Sequence, residues 1–361
     1  MNTGRPDVSD PSRRGLSNGL NLLIVTQAVD RDDPVLGFFH GWLKEFAGRF
    51  ETINVICLKE GSHRLPKNVF VHSLGKESGA SRVKYIFRFY KYIWQLRNEY
   101  DVVFVHMNQE YVLLGWKIWF LLRKRVILWR NHVKGSLATS MAALLSHTVC
   151  YTSPQAFVAG LKNAVQMPVG IDTDFFKPNG SANSRSILFL GRLDAVKRPE
   201  MLLRALDILA NKGVVFSVDI IGNPTPGREA FARELKKDFS SISNVAFRSA
   251  IRNDDTLAAY NSHAIYVNLT PSGSFDKTIV EAMASGCVVV VGNGVLRGVV
   301  PDELIADVDS AESVAQGIKF ALDMDAQVSE KLIQKSRAYV IENHSISLLA
   351  SRLLILFKSK I

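Results

Sequence analysis

Two tandem α/β domains, each wound around a parallel sheet, are predicted by three features of this 361-residue sequence. At roughly 150 residues per domain, the length fits two. From Asn21 onward, short continuous runs of β-branched and other apolar residues alternate with longer helical segments. Continuous rather than alternating hydrophobicity marks strands covered on both faces, hence parallel sheets. After Met167–Arg185, a stretch rich in Pro, Gly, Asn and Ser, the same rhythm restarts. Both units are therefore expected to be Rossmann-like, with a cleft between them and ligands bound at the carboxyl ends of strands. The expected division is a flexible polar tail over 1–19, a first domain over 20–168, a linker over 169–185, a second domain over 186–342 and a terminal helix over 343–361.

In the first half the apolar runs predict strands at Leu22–Thr26, Thr52–Cys57, Val69–Val71, Val102–His106, Val126–Trp129, Thr148–Tyr151 and Ala164–Met167. Helices are expected over 37–49, 80–99, 109–123, 136–146 and 153–161. In the second half strands fall at Ser186–Leu190, Phe216–Ile221, Val245–Phe247, Ala264–Val267 and Cys287–Val291. Helices are expected near 197–211, 226–239, 253–261 and 277–285, then three more near 310–323, 327–341 and 345–358.

Composition narrows the class. With 47% hydrophobic and 22% charged residues, the chain is neither disordered, collagen-like nor a disulfide scaffold. Cys57, Cys150 and Cys287 lie far apart in apolar runs and read as reduced core residues. The longest apolar stretch, Tyr111–Leu122, is broken by Lys117 and is too short to span a bilayer. The polar N-terminus lacks the apolar core of a signal peptide, so a cytoplasmic location is expected. Net charge is +10 and unevenly spread: residues 1–172 hold 22 basic and 13 acidic side chains, whereas 173–361 hold 22 and 21. No acid lies between Glu110 and Asp172. Such asymmetry points to a polyanionic surface or partner for the first half.

Familiar phosphate motifs fail on spacing. Gly292, Gly294 and Gly298 follow a strand, but the last interval is one residue too long for a dinucleotide fingerprint, and the run comes too late in the chain. Gly273–Thr278 ends in Lys-Thr as a phosphate loop does, yet Pro271 and Asp276 stand where glycine is needed. Asp172 and Asp174 are spaced like a metal-binding pair without another acid nearby, and read as turn and capping residues.

A different phosphate site remains. Gly191 lets the chain turn at the end of the strand Ser186–Leu190, and Arg192 and Lys197 then project from the loop, two cations suited to clamping a diphosphate. A Gly/Ser-rich loop runs into a helix beginning near Lys277, whose free first-turn amides and dipole attract phosphate or sugar oxygens. Glu281 falls one turn into this otherwise apolar helix and needs a partner. Vicinal ribose hydroxyls would satisfy both its oxygens; an ion pair within the protein is the alternative.

Three segments, Val169-Gly-Ile-Asp-Thr-Asp-Phe-Phe-Lys-Pro178, Ile187-Leu-Phe-Leu-Gly-Arg-Leu-Asp-Ala-Val-Lys-Arg-Pro199 and Lys277-Thr-Ile-Val-Glu-Ala-Met-Ala-Ser-Gly286, together resemble the retaining, GT-B-fold glycosyltransferases of family 4 (glycosyltransferase group 1 type). The likeness extends over roughly residues 20–345. It implies α/β GT-B architecture, two tandem Rossmann-like domains with parallel sheets facing a central cleft. The first domain would hold the acceptor and the second the nucleotide sugar, with residues 343–361 packing back on the first. The implied reaction moves a sugar from a UDP- or GDP-linked donor to an acceptor hydroxyl with retention, without cofactor or metal. Arg192 and Lys197 would stabilise the leaving diphosphate, Glu281 would hold the ribose, and the amides of Thr278 and Ile279 would hold donor oxygens. Gly37, on the loop after the first strand, would approach the donor phosphates, and His132 the donor sugar, while His106 would line the acceptor pocket. The family's first glutamate falls on Gly273 and its glycine before the helix on Asp276, which leaves the sugar open.

The basic first half acquires a role from the same resemblance. Residues 82–97 place Lys84, Arg88 and Lys91 on one helical face, with Ile86, Phe89, Tyr90 and Ile93 opposite, and Arg123–Arg125 add a second cluster. Cations beside aromatics suit an anionic membrane, so docking at the inner face of the cell membrane and an acceptor that is a lipid-linked or cell-surface glycan precursor are expected. The alternative is an ordinary helix packing its apolar face on the sheet. Rival functions on this architecture are a donor-binding pseudo-transferase, a nucleotide-sugar epimerase or a phosphorylase. A nucleic-acid partner is not expected, because no recognition fold accompanies the basic half.

Overall fold

The apolar runs of each half form the inner strands of a separate parallel sheet. A computed structural model describes residues 19–359 apart from Pro34, Ser181, Ser241, Ser243, Gly273 and Ser274. The expected tail over 1–19, Gly19 aside, and the departure at Gly273 thus lie outside the described residues.

The first sheet contains β1 (Asn21–Val29), β2 (Thr52–Glu60), β3 (Val69–Ser73), β4 (Val102–His106), β5 (Arg125–Trp129), β6 (Thr148–Tyr151) and β7 (Ala164–Gln166). Their order is β3-β2-β1-β4-β5-β6-β7, all parallel. Helices α1 (Phe39–Ala47), α2 (Arg82–Gln95), α3 (Gln109–Leu121) and α4 (Leu137–Leu144) connect them. Alternate β1 side chains enter two cores. Leu22 and Ile24 pack with Phe39, Trp42 and Phe46 of α1, whereas Leu23 and Val25 join Phe89 and Ile93 of α2 and Trp119 of α3. This division along one strand shows that both faces of the sheet are covered.

The second sheet contains β8 (Asn183–Leu190), β9 (Ser217–Ile221), β10 (Val245–Arg248), β11 (His263–Asn268) and β12 (Val288–Val291), in the parallel order β10-β9-β8-β11-β12. Its helices are α5 (Pro199–Asn211), α6 (Glu229–Asp238), α7 (Thr256–Asn261), α8 (Lys277–Ala284), α9 (Ala311–Leu322) and α10 (Ala326–His344). Sequence order reverses between β8 and β11, so the loops at the ends of β8 and β9 face an open crevice.

The expected helix over 153–161 does not form. Asn131 Oδ1 accepts hydrogen bonds from the Thr152 and Ser153 amides, Pro154 follows, and only a short 3₁₀ turn over Phe157–Gly160 appears. Nor is the linker a loose spacer. Val169 and Ile171 are buried, the Gly170 and Ile171 amides donate to the His344 carbonyl, and Trp42 Nε1 donates to the Gly170 carbonyl at 3.0 Å. Gly170 has φ +79°, and a Cβ there would lie 2.5 Å from Leu349 and 2.8 Å from Trp42, so only glycine fits. The last helix, α11 (Ile346–Lys358), adds Leu349, Leu353 and Phe357 to the core beneath α1. Phe357 meets Phe50 and Phe104 edge-on, while Arg49 donates to Ser347 and Ser351. Cys57, Cys150 and Cys287 are buried free thiols.

Candidate functional site

The crevice begins where two glycines let the β8 and β9 loops touch. A Cβ on Gly222 would lie 1.8 Å from the Gly191 carbonyl oxygen, so any larger residue would push these loops apart. Beside them opens a cavity of about 410 Å³, lined by Val35 from the first domain and by Gly191, Arg192, Pro224, Ile251, Thr278 and Glu281 among others. A larger groove of about 520 Å³ lies around Ser186, Ser217 and Ser262, at the opposite ends of the strands. It contains none of the motif residues, whereas Arg192, Thr278 and Glu281 line the smaller cavity.

Arg192 reaches this cavity with its side chain about half exposed, and among the described residues its only ionic neighbour is Asp194 at 3.6 Å. Its guanidinium is thus free to meet an anion. Lys197 is not. Its ammonium is hydrogen-bonded to Asp276 Oδ2 and, at 3.2 Å, to Thr270 Oγ1. Asp276 caps α8 and also accepts from Asn268 Nδ2 at 2.9 Å, Thr270 Oγ1 at 3.2 Å, Thr278 Oγ1 at 3.1 Å and the Thr278 amide at 3.4 Å. Burial pushes its carboxyl pKa up, but Lys197 and the donated hydrogen bonds outweigh that and hold it at about 2.

These contacts bear on two expectations and add one residue. The cation expected to be one of two free clamps is already paired. The Thr278 amide serves the Asp276 side chain and the Ile279 amide donates to the Asp276 carbonyl at 3.2 Å, so neither is open to donor oxygens. Asp276 itself was not singled out as a site residue. The sequence signal was an aspartate immediately before a helix, the mark of an N-cap, but its meeting with Lys197, 79 residues away, is a tertiary fact.

Glu281 lines the cavity and is only 3% exposed. Tyr260 donates its hydroxyl to Oε2 at 3.1 Å, and Lys277 Nζ stands 4.0 Å from Oε1. Burial raises its pKa against the pull of Lys277. Oε1 keeps lone pairs for a ligand hydroxyl, so the carboxylate combines an internal contact with an available face. Lys277 lies between the domains, its ammonium 4.1 Å over the Phe38 ring and 3.3 Å from the Gly170 carbonyl. Burial pushes its pKa down to about 8.

The remaining candidates separate. Gly37 is buried, its amide donates to the Asp33 carbonyl at 2.9 Å, and a Cβ would lie 2.7 Å from that oxygen. Its smallness serves the loop, and its N–H is not free for phosphate. His132 is exposed on the loop after β5 and does not line the cavity. Its Nδ1 stands 2.9 Å from the Lys134 amide nitrogen and 3.0 Å from the Lys134 carbonyl oxygen, so that ring nitrogen is engaged within the loop. His106, expected to line the acceptor pocket, is placed inside the first domain. It is 1% exposed, stacks on Phe39 at 4.3 Å and pairs with Thr26 Oγ1 at 3.1 Å. Burial first, and the Lys277 charge second, lower its pKa to about 3, so it is a neutral core residue. Asp172 behaves as expected of a turn, its Oδ1 accepting from the Asp174 and Phe175 amides.

Two ion pairs cross the mouth of the crevice: Arg31 with Asp254 at 2.7 Å and Arg252 with Asp32 at 3.8 Å.

Residues 184–324 match the family model of glycosyl transferases group 1. No curated protein sequence matches the chain. Among solved structures it is similar to Anabaena HepE in complex with UDP and glucose, with 17% identity, 94% of this chain and 100% of that chain covered, and a TM-score of 0.74. It is also similar to a glycosyltransferase from Rickettsia africae (16%, 94% and 98%, 0.75) and to sucrose-phosphate synthase from Thermosynechococcus elongatus (14%, 94% and 98%, 0.71). At these identities the likeness is one of fold. Together with the two parallel sheets, it establishes that the chain has the GT-B architecture, and residues 184–324 are the part that matches the group 1 glycosyl transferase model.

Proposed function

We propose that this protein is a retaining glycosyltransferase that moves a sugar from a UDP- or GDP-linked donor to an acceptor hydroxyl. The observation that carries this is the crevice cavity, where a free guanidinium (Arg192), a buried carboxylate (Glu281) and an uncharged wall of Pro224, Pro226 and Ile251 converge. A flat base fits the apolar wall, ribose hydroxyls fit Glu281, and the diphosphate fits Arg192. The HepE structure of the same fold holds UDP and glucose. In the transfer, the bond from the anomeric carbon to the diphosphate oxygen breaks as the acceptor oxygen bonds to that carbon. The acceptor proton passes to the departing phosphate oxygen. Arg192 stabilises the charge left on the diphosphate, and Lys197 contributes through the hydrogen-bonding capacity that Asp276 and Thr270 leave it. His132, on the β5 loop outside the cavity lining, is proposed to meet the sugar from the side of the first domain. The first domain, 20–168, takes the acceptor and 186–342 the donor. A panel of UDP- and GDP-sugars scored for nucleoside diphosphate release, with the product anomer read by NMR, tests it. Release with a retained anomer is expected; inversion rejects the mechanism, and no release from any donor rejects the enzyme.

A membrane-borne acceptor is part of the proposal, supported by the outer surface of α2, α3 and α4. Phe89 and Ile93 are buried as expected, but Ile86 and Tyr90 are exposed together with Val83, Phe87 and Trp94. These five form a second apolar stripe at helical spacing, flanked by exposed Lys84 and Lys91. Arg88 instead turns inward to the Leu74 carbonyl at 2.9 Å. Phe120 and Leu121 at the end of α3, and Leu137, Met141 and Leu144 on α4, are exposed as well. Apolar side chains ringed by cations, with no acid from 111 to 171, fit an anionic bilayer that takes up the rings while phosphates meet the ammonium groups. No helix among the described residues is long and apolar enough to cross a membrane, so the contact is peripheral, at the inner face of the cell membrane. Co-sedimentation with phosphatidylglycerol vesicles but not phosphatidylcholine vesicles is expected; equal behaviour with both rejects the docking.

A further inference from the structure

Asp276 is a largely enclosed anion beside the crevice, bonded to cavity-lining Thr278, that sugar transfer does not require. Five donor groups converge on it: the Lys197 ammonium, Asn268 Nδ2, Thr270 Oγ1, Thr278 Oγ1 and the Thr278 amide. A carboxylate accepts about four hydrogen bonds well, so none of its capacity is left for a sugar hydroxyl. Its position is the helix start of α8, where the amides and the dipole favour one negative charge. Its own side chain supplies that charge. Lys197, whose stem runs 4.0 Å from where a Cβ on cavity-lining Gly191 would sit, is neutralised by this pairing.

We infer that Asp276 is a built-in counter-anion that makes the crevice favour the sugar-capped diphosphate over the free nucleoside diphosphate, and so promotes departure of the product. The inference rests on the donor site proposed above. A nucleotide sugar carries one charge on each phosphate. Once the sugar is gone, the terminal phosphate gains a further ionisation near pH 6. Lys197 alone would attract that extra charge. Lys197 paired with Asp276 presents no net charge to it. Arg192, exposed and only loosely held by Asp194, remains to grip both forms.

Calorimetric titration of the whole chain at pH 8 with UDP, GDP, UDP-glucose and GDP-mannose tests this, comparing wild type with Asp276→Asn. Asparagine keeps an oxygen for the α8 cap and removes the charge. The variant is expected to bind the free diphosphate about tenfold more tightly and to change little toward the capped form. Equal gains for both, or a loss for the free diphosphate, overturn the inference while leaving the donor site standing. If the variant does not fold, the wild type decides alone between pH 5.5 and 8. Its affinity for the free diphosphate should stay level or fall as the terminal phosphate ionises, and a rise overturns the inference. Wild type that binds no nucleotide at all overturns the donor site and the inference with it.

Discussion

The two domains share a fold and divide its resources differently. In the carboxy-terminal domain, charge is turned inward and balanced: Asp276 answers Lys197, and Tyr260 and Lys277 answer Glu281. In the amino-terminal domain the buried polar group near the cleft, His106, is a neutral ring inside an aromatic cage, and the cations face outward beside exposed Phe87, Trp94 and Phe120. The difference teaches where each domain meets its ligand. One encloses a small cavity that combines an apolar wall with Arg192 and Glu281, and the other leaves a broad amphipathic surface uncovered.

The sharpest way to break the comparison is to remove one charge from a balanced pair. Lys197→Met strands Asp276 in the interior and is expected to cost about 3–5 kcal/mol, a fall in Tm of roughly 10 °C. Arg192→Ala, at a half-exposed side chain, should change stability by less than about 0.5 kcal/mol. It should nevertheless weaken nucleoside diphosphate binding about tenfold, because it loses a charge-assisted contact. Differential scanning calorimetry and ligand titration of both variants check this. Equal stability losses would mean that the two cations are alike, and the contrast drawn here would be wrong.

His106 gives the amino-terminal counterpart. Its folded pKa of about 3 lies below the ordinary 6.5, so the unfolded chain takes up a proton that the folded chain refuses. Stability contributed by this group is present above pH 6.5 and is lost as pH falls toward about 3, by on the order of 4–5 kcal/mol across the window. Urea unfolding from pH 7 to 4 should show this loss, and His106→Gln should flatten it. A slope unchanged by the substitution would place its source elsewhere.

Much of this was legible in the sequence. Val102–His106 and Thr148–Tyr151 are strands to the residue, because parallel strands buried on both faces leave unbroken apolar runs. Lys277–Ala284 was legible from its apolar face and its capping aspartate. What was not legible depended on distant partners. The expected helix over 153–161 lost its amides to Asn131, and His106 read as a strand end until Phe39 folded across it. Helical periodicity in α2 located Phe89 and Ile93 correctly but could not say that Tyr90 and Ile86 would stay exposed, since that depends on how α3 packs beside them.

Replacing Val83, Phe87 and Trp94 together by serine sharpens the outer surface. Folding stability should move by about 1 kcal/mol or less, because these side chains are exposed in the folded protein. Sedimentation with anionic vesicles should drop several-fold. Loss of folding with unchanged lipid binding would reverse the assignment. The smallest effect belongs to the ion pair between the domains. Asp254→Asn removes the contact of half-exposed Asp254 with Arg31 and should cost no more than about 1 kcal/mol, vanishing at high salt.

The central claim is that the carboxy-terminal cavity receives a nucleoside diphosphate through Glu281. Titration calorimetry of UDP and GDP against wild type and Glu281→Gln tests it most directly. One of the two nucleotides should bind wild type with one site per chain, and the glutamine variant should bind it at least about tenfold more weakly, since a carboxylate accepts a ribose hydroxyl more strongly than an amide does. Undiminished binding by the variant would mean that Glu281 serves only Tyr260 and Lys277, and that the nucleotide lies elsewhere.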